Sequence, residues 1–330
     1  MQIDIKSKNV ETIRNTFSHI ERRLGDKPAS RYQEGTYDVQ ATHNFHYRPT
    51  WQPQFELYDE GRTAIKIDDW YKFLDPRQFY YGSYVINRAK LQETADQNFK
   101  FVENRGLLAL MPDEVKQKVL QLVMPLRHFE WGANMNNTQI CTMGYGTAIT
   151  APAMFHAGDR LGIAQYITRI GLLLGENEIT VLDQAKQDWL EKEEWQGLRK
   201  AVEDSFVVED WFELFVVQNF VMDGLIHPFF FDHFEQSLNE QGGTAQGMLT
   251  EFMSTWYGET TRWVDAQLKV AAQESEENAV LLSKWINNWL PVIEDAIKPL
   301  CQKAMDNGEA VLADVKSALL KRAEKAKINL

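Results

Sequence analysis

Residues 206–231 read FVVEDWFELFVVQNFVMDGLIHPFFF, and this stretch decides the fold class. It is the most apolar part of the chain, and drawn as a helix it is apolar nearly all round, which is typical of the central helix of a large bundle. A membrane span needs about 18 or more apolar residues with few charges. This stretch is instead interrupted by Glu209, Asp210, Glu213, Gln218, Asn219 and Asp223. We therefore predict a buried helix over 206–238, kinked at Pro228 because proline lacks the N–H of the helix ladder.

Long helices are predicted on both sides of this stretch. Asp75-Pro76 has the pattern of an N-cap followed by proline at the first helical position, and apolar residues then recur at helical spacing until Gly106. Another helix starts at Pro112-Asp113, and further ones are predicted over 151–175, 180–205, 244–275, 277–303 and 309–326. Sustained strand alternation is nearly missing. The predicted fold class is all-α, with one large bundle over residues 76–330 that includes C-terminal accessory helices.

The N-terminal residues 1–75 follow a different pattern. A short helix is predicted at about 8–24, and residues 26–75 lack helical periodicity. Residues 30–81 nevertheless hold 13 of the 39 aromatic rings, whereas disordered segments are poor in aromatics. We interpret 26–75 as an extended docking arm whose rings contact either the chain's own helices or another subunit. The candidates for subunit contact are Tyr32, Tyr37, Phe45, Tyr47, Trp51 and Phe55.

The composition excludes several classes of function. The 330 residues carry 35 basic and 47 acidic side chains, a net charge of -12, which argues against nucleic-acid or anionic-membrane partners. The two cysteines, Cys141 and Cys301, argue against a disulfide framework or a cysteine-based zinc site. The N-terminus MQIDIKSKNV lacks the pattern of a secretory signal. We therefore expect a cytoplasmic protein.

Long helices around a buried centre are also the architecture of one class of enzymes, the ferritin-like dimetal carboxylate proteins, so their motif was sought in the sequence. These need a Glu from each of two helices and a Glu-x-x-His from each of two others. The residues three positions before the seven histidines are Thr16, Gln40, His43, Pro125, Ala153, Gly224 and Phe230. None is Glu, so the sequence lacks this dimetal motif. Phosphate-loop, GxGxxG and GxSxG motifs are missing as well.

Several pairs of polar residues could still form part of a functional site, and each pair can also be explained by a purely structural role. His156 with Asp159, Asp223 with His227, and His43 with His46 could each offer two metal ligands, but a hydrogen-bonded polar pair is the favoured interpretation. Asp210 and Glu213 could form an acid–base pair, but their place at a helix start favours simple stabilisation by the helix dipole. The helix near 113–143 carries an unusual number of polar residues, which predicts a network across a helix or subunit contact. They are Arg127, His128, Glu130, Asn134, Asn136 and Asn137.

Six segments resemble a known family along essentially the whole chain. They are KPASRYQEGTYDVQATHNFHYRPTW, DPRQFYYGSYVINRAKLQE, PLRHFEWGANMNN, DRLGIAQYITRIGLLL, DWFELFVVQNFVMDGLIHP and LTEFMSTWYGETTRWVDA. The family is that of the β subunits of bacterial multicomponent phenol hydroxylases and, more broadly, of toluene and methane monooxygenase hydroxylases. The resemblance implies a ferritin-like, ribonucleotide-reductase-like bundle of long helices with an extended N-terminal arm.

The resemblance also implies a function in a complex. In this family the α subunit carries the diiron centre that activates O2 and hydroxylates the ring, within an assembly expected to be (αβγ)2. A reductase with FAD and an iron–sulfur cluster supplies electrons from NADH, and a regulatory protein binds the hydroxylase. The β subunit is expected to hold no catalytic, cofactor-binding or metal residues and to support assembly. The alternatives are a self-sufficient dimetal oxygenase with unusual ligands and a standalone ferritin-like scaffold.

The resemblance further suggests where metal ligands have been lost. If the ELRH motif of the α subunits is aligned with residues 125–128, Pro125 replaces the Glu of the motif and His128 matches its His. If an α-type DExRH motif is laid on TTRW, Thr260 replaces Glu and Trp263 replaces His. We therefore expect packed core at these four degenerate ligand positions.

Overall fold

The computed structural model of the protein describes residues 18–25, 27, 29–37 and 48–330. Within these ranges the regular structure is helical and contains no strand, which confirms the predicted all-α class. We number the helices α1 Ser18–Leu24, α2 Arg31–Thr36, α3 Tyr81–Asn104, α4 Asp113–Leu122, α5 Leu126–Met143, α6 Thr147–Leu174, α7 Thr180–Glu191, α8 Glu193–Ser205, α9 Trp211–Glu240, α10 Thr244–Glu274, α11 Glu276–Ala304 and α12 Gly308–Lys325.

Three of the predicted helices were wrong in their bounds. The helix predicted near 113–143 is interrupted by a turn at residues 123–125, between α4 and α5. The helix expected from Asp75-Pro76 begins only at Tyr81, because Asp75 uses its carboxylate to accept from the backbone N–H and guanidinium of Arg77, 2.9 Å away in each case. Asp75 therefore closes a turn instead of capping a helix. The single helix predicted over 180–205 is broken at Lys192, which is extended between α7 and α8.

Helix α9 is the central element of the bundle. It begins at Trp211 because the Asp210 side chain accepts hydrogen bonds from the backbone N–H groups of Phe212 and Glu213, which confirms the structural interpretation of these acids. Two segments adopt π-helical spacing, Val216–Met222 and Phe229–His233, and the second directly follows Pro228. The helix is long and apolar enough to cross a membrane, but 94% of its apolar window is buried inside the bundle. It is therefore a core helix.

The remaining long helices enclose α9. Helices α5 and α6 follow each other along the chain and pack extensively together, and α5, α10, α11 and α12 all contact α9. Indole rings fill much of the core, with Trp195, Trp211, Trp256 and Trp263 at most 1% exposed. Burying a large apolar side chain contributes roughly 1.5–3 kcal/mol to folding. The helices α5, α6, α9 and α10 meet at the centre, where the charged residues described below lie.

The last part of the N-terminal arm packs on the chain's own bundle. Ile65, Trp70 and Phe73 are buried in the common core, and the Trp70 ring lies 5.9 Å from that of Trp211. The backbone N–H of Ala64 donates to Asp210, 2.7 Å away, which fixes the arm to the start of α9. The chain's own helices thus account for these rings. The division at residue 75 stays a prediction.

The six candidate contact residues of the arm differ in their surroundings. Tyr32 is buried, and its hydroxyl accepts from the backbone N–H of Asp75 at 2.7 Å. Tyr37 and Phe55 are half-buried, and the ring of Tyr37 lies edge-on to that of Tyr71. Phe45 and Tyr47 lie outside the described residues. Trp51 is 53% exposed, so it is the described candidate with most surface left for a partner.

Candidate functional site

A cluster of charged and polar side chains lies at the centre of the bundle, where α5, α6 and α9 meet. It comprises Glu130 from α5, His156 and Arg160 from α6, and Asp223 and His227 from α9, and each of these residues is at most 1% exposed. We call these five residues the Arg160 cluster. Charges at this depth must be paired, because the loss of hydration is otherwise too costly.

The guanidinium of Arg160 joins the other members of the cluster. Its Nη1 donates to Oε2 of Glu130 at 2.9 Å and lies 2.8 Å from Nε2 of His227, while its Nη2 donates to Oδ2 of Asp223. Nε2 of His227 is also 3.1 Å from Oε1 of Glu130. Because a guanidinium only donates, Nε2 of His227 accepts from it and the proton of the neutral ring lies on Nδ1. Oε1 of Glu130 is therefore left without a hydrogen bond, in agreement with its unpartnered state.

Helical spacing brings these residues together. His156 and Arg160 are four residues apart, as are Asp223 and His227, so each pair shares one face of its helix. Gln218, in the first π-helical segment of α9, donates to Oδ1 of Asp223 at 2.9 Å. Such π segments are often found at functional positions, and here they accompany the polar residues of an otherwise apolar helix.

The electrostatics of the cluster keep both acids ionised and His156 neutral. Burial alone would raise the pKa of Asp223 and of Glu130, but the adjacent Arg160 outweighs burial and lowers both values. Burial, reinforced by the positive charge of Arg160, lowers the pKa of His156 to about 4 even though the nearby Asp223 and Asp159 carboxylates favour the charged imidazole. With His227 in its neutral tautomer, the cluster carries two negative charges and one positive charge.

A second ionic group surrounds the cluster toward α3. Asp159 accepts from Nε of Arg88 at 2.7 Å, from the hydroxyl of Tyr84 at 2.9 Å and from Nε1 of Trp256 at 2.9 Å. The Trp256 ring also lies under the Arg160 guanidinium, 4.4 Å from its centroid. These contacts hold the α6 side chains in place. They support the structural interpretation of Asp159, which pairs with an arginine and a tyrosine.

The neighbouring polar residues of α5 form a network across helices, as predicted. The amide of Asn136 donates to Gln218 at 2.8 Å, and Asn137 and Asn219 exchange hydrogen bonds of 2.9 and 3.1 Å. All four amide side chains are at most 2% exposed. Buried amides paired in this way fix the register of α5 against α9.

The residues at the centre do not fit a dimetal carboxylate site. That site needs an acid from each of two helices and a Glu-x-x-His pair from each of two others. Glu130 and Asp223 supply the two single acids, but α6 presents Ala153 three residues before His156, and α10 presents Thr260 and Trp263. Among the described residues, no group of three or more His, Cys, Asp or Glu is arranged to hold a metal ion.

The four degenerate ligand positions fall in two places. Trp263 lies beside the Arg160 cluster, with its ring 5.7 Å from that of His156, and Thr260 is buried one helical turn away with its hydroxyl unpartnered. Pro125 and His128 lie at the start of α5, where His128 stacks on Trp189 at 5.8 Å. Burial lowers the pKa of His128 to about 4. The acid that α5 contributes to the cluster is Glu130.

Two members of the cluster were not singled out from the sequence as charged partners. In the sequence Glu130 is only one of several polar residues on its helix, and no motif marks Arg160. The available signal was spacing, because Arg160 follows His156 by four residues and must share its helix face. That an arginine would stand between acids of two other helices is visible only in the fold.

The buried state of His156 predicts a pH dependence of stability. An unfolded histidine binds a proton below a pH of about 6.5, whereas the pKa of His156 in the folded chain is about 4. Between these values the unfolded state binds more protons, so the free energy of unfolding falls as the pH is lowered, by about 3 kcal/mol over the window. Urea unfolding of the His156→Gln variant should show a flatter slope between pH 6.5 and 4. The same substitution at the exposed His233 should leave the slope unchanged, and equal slopes for all three proteins would contradict this account.

A separate feature lies on the surface, where three packed helices expose large apolar side chains. Tyr84 of α3 stacks on Phe155 of α6 at 4.3 Å, and Asn134 of α5 donates to the carbonyl of Ala157 on α6 at 2.7 Å, so the three helices are adjacent. Seven large apolar side chains of these helices, at 36–75% exposure, are taken to form this surface: Tyr81, Val85, Ile86, Trp131, Met135, Met154 and Leu161. We call this surface the α3–α5–α6 face. Apolar patches of this kind mark sites of protein–protein contact.

The α3–α5–α6 face also contains glycines that the chain itself does not require. A Cβ added at Gly162, in the middle of α6, would meet no atom within 4 Å, and one at Gly158 would make only an ordinary contact of 3.5 Å with the Tyr84 hydroxyl. A glycine in a helix interior costs about 1 kcal/mol relative to alanine. Small residues on an exposed helix face allow the close approach of another helix.

Comparison with known proteins gives a consistent result. Residues 51–275 match the model of the methane/phenol/alkene hydroxylase family. The chain is 49% identical to the phenol 2-monooxygenase oxygenase component of Pseudomonas sp. strain CF600, over 98% of both chains. It is 24% identical to the hydroxylase component subunit beta of the toluene-4-monooxygenase system of Ectopseudomonas mendocina, over 85% of this chain and 88% of that one. The crystal structure of xenon-pressurised phenol hydroxylase from Pseudomonas sp. OX1 matches with a TM-score of 0.92 and 46% identity, covering 99% of both chains.

Proposed function

Because the chain belongs to the methane/phenol/alkene hydroxylase family, we propose that it is the non-catalytic β subunit of a phenol hydroxylase. The phenol 2-monooxygenase relative is an oxygenase component, and the toluene-4-monooxygenase relative is a subunit beta. In this proposal a separate α subunit carries the diiron centre and hydroxylates the ring. The β chain supports a cytoplasmic (αβγ)2 assembly, which a flavin and iron–sulfur reductase and a regulatory protein serve.

The composition of the Arg160 cluster carries this proposal. The helices that would each have to present a Glu-x-x-His pair present Ala153 with His156 and Thr260 with Trp263 instead. A guanidinium, which cannot lose its proton in a protein, stands between the two remaining acids. With a permanent cation at its centre and too few ligands around it, the bundle has no place for a diiron centre. This composition also disfavours a self-sufficient dimetal oxygenase.

The contact of this chain with the rest of the enzyme is then its main contribution. We assign the α3–α5–α6 face to the catalytic α subunit, because its exposed rings and thioethers are the residue types that form the centres of protein interfaces. Gly158 and Gly162 would let a helix of the partner approach closely. Holding α in a productive arrangement requires a large, well-packed contact, and a face built from three helices supplies one.

Reconstitution from separately purified subunits tests the proposed role. The chain alone should hold no stoichiometric iron and should not hydroxylate phenol when reductase and NADH are supplied, whereas adding α and γ subunits should restore turnover. Two tightly bound irons in the isolated chain, or phenol turnover without α, would overturn the proposal. Failure of the chain to bind α would instead support a standalone scaffold.

The arm gives a matched pair of expected results. Trp70 is 7% exposed in the core, so Trp70→Ala should lower the free energy of unfolding by about 3–5 kcal/mol. Trp51 is 53% exposed, so Trp51→Ala should change stability by less than about 0.5 kcal/mol yet weaken binding to α, if the arm docks there as we propose. Urea unfolding and analytical size-exclusion chromatography with α measure the two effects. Unchanged assembly with Trp51→Ala would limit the arm to packing on its own chain.

A further inference from the structure

The α3–α5–α6 face ends in an open pocket near the start of α5. The pocket has a volume of about 570 Å³ and is lined by residues from α3, from α5 and from the C-terminal half of α6. Arg127 in the pocket and Trp131 on the face are four residues apart on α5, so they share one side of that helix. We call it the Arg127 pocket, and its polar lining includes Glu103, Arg127, Gln165, Arg169 and Asn177.

Arg127 has no acidic partner, unlike the second arginine of the pocket. Arg169 donates to Asp96 at 3.3 Å and to Glu103 at 2.9 Å. The half-buried side chain of Arg127 makes no ion pair or hydrogen bond with any residue that the structure describes. Burial lowers the pKa of Arg127, and no carboxylate lies close enough to offset this effect. An uncompensated guanidinium is unexpected in a chain whose net charge is -12.

The surroundings of Arg127 favour an anion. The pKa of His128 is lowered to about 4, first by burial and then by the charges of Arg127 and Lys186, so both cations lie near its ring. Lys186 of α7 is exposed and forms no ion pair within the described ranges. The side-chain amides of Gln165 and Asn177 have no hydrogen-bonding partner there either. The pocket therefore offers a guanidinium and two amide groups as donors.

Covering the neighbouring apolar surface would bury Arg127 further. Trp131 is 56% exposed one turn along α5, so a partner that covers its ring must pass close to the guanidinium. A buried charge without a counter-ion is strongly destabilising, so such a partner must bring an anion with it. A small free anion would pair with Arg127 but leave the indole of Trp131 in water. An acidic side chain beside apolar ones satisfies both, and carboxylates match the planar donor fork of arginine.

We infer that the Arg127 pocket receives the carboxylate of an Asp or Glu side chain of the α subunit, next to apolar residues that cover Trp131. The inference rests on the proposed function, which assigns the α3–α5–α6 face to α. In the complex the carboxylate pairs with the guanidinium of Arg127 and accepts from the amides of Gln165 and Asn177. The apolar part of the face contributes contact area, and the ion pair fixes the orientation of the partner.

Titration calorimetry of the full-length chain with the α subunit tests the inference. Arg127→Gln should weaken binding at least about 30-fold, and Arg127→Glu should weaken it more, because the carboxylate of α would be left buried without its cation. Since Arg127 has no partner in the isolated chain, both variants should keep the melting temperature of the wild type. The matched control is Arg199→Gln on α8, which removes an arginine that pairs with Glu203 and should leave binding unchanged.

The Arg127→Lys variant identifies the partner group. A carbodiimide couples an amine to a carboxylate in direct contact, forming an amide bond with loss of water, so position 127 of this variant should become joined to an Asp or Glu of α. Mass spectrometry of the digested complex locates the link. If α binds the wild type and Arg127→Glu equally well, the inference is overturned while the proposed function stands. If α does not bind the wild type, both fail.

Inorganic phosphate tests the alternative occupant. Under the inference, millimolar phosphate should not raise the melting temperature of the wild type more than that of Arg127→Gln. A rise confined to the wild type, together with equal binding of α by the two proteins, would show that the pocket takes a free anion and would overturn the inference.

Discussion

The Arg160→Met variant is expected to be about 3–5 kcal/mol less stable than the wild type, as large a loss as that expected for Trp70→Ala. Methionine keeps much of the side-chain volume but removes the cation that pairs with Glu130 and Asp223. Both acids are at most 1% exposed, so they would be left as uncompensated buried charges. Urea unfolding of the two proteins at neutral pH measures the difference.

A triple variant separates the ion pairs from the packing. Combining Arg160→Met with Glu130→Leu and Asp223→Asn removes all three charges, and the amide oxygen at position 223 can still accept from Gln218. Replacing a whole buried ionic group by residues of similar volume is often neutral or stabilising, so most of the lost stability should return. If the triple variant is no more stable than Arg160→Met, packing and not charge balance explains the loss.

The second large effect concerns assembly and not folding. Trp131 is 56% exposed and Met135 47% exposed on successive turns of α5, so Trp131→Asp with Met135→Asp should leave the isolated chain folded. Placing two charges on the α3–α5–α6 face should weaken binding to the proposed α subunit by at least about 100-fold, since the few residues that dominate an interface each contribute about 2 kcal/mol or more. Isothermal titration or size-exclusion chromatography with α measures the loss.

Gly162→Leu provides a sharper form of the same test. In the isolated chain a Cβ added at this position meets no atom within 4 Å, and leucine is a better helix former than glycine, so we expect the variant to be slightly more stable than the wild type. In the complex it should prevent the approach of a partner helix. The matched control is Leu110→Asp, which changes an apolar residue that is 77% exposed on a different element. Equal binding by the glycine variant and the control would show that α docks elsewhere.

Much of the fold was accessible from the sequence because the helical signals are local. The apolar run of α9 and the place of Asp210 at its start were both recognisable from residue order. The start of α3 was mispredicted, because Asp75 has a competing partner two residues later in Arg77. A proline after an aspartate is a good helix start only when the carboxylate is free to cap.

The centre of the site was only partly predictable. Counting residues around each histidine was enough to show that the Glu-x-x-His motif is missing, and spacing suggested that Asp223 and His227 share a face. That Arg160 of α6 would stand between Glu130 of α5 and Asp223 of α9 depends on how three helices cross, and no local pattern reports this. The loss of a ligand at Pro125 stays a prediction, and the acid that α5 contributes to the cluster is Glu130, five residues further along.

The positive charge at the centre of this bundle belongs to a side chain of the protein itself. Folding therefore does not have to wait for a cation to bind from solution. A protein whose core needs a metal folds in proportion to the free metal concentration, because ligand binding to the native state shifts the folding equilibrium by mass action. Arg160 belongs to the same polypeptide as Glu130 and Asp223, so every chain contains the cation that pairs with these two acids. Under the proposed function, we therefore expect the folding equilibrium of this chain not to depend on iron supply, so that it can fold before metal is loaded into the α subunit.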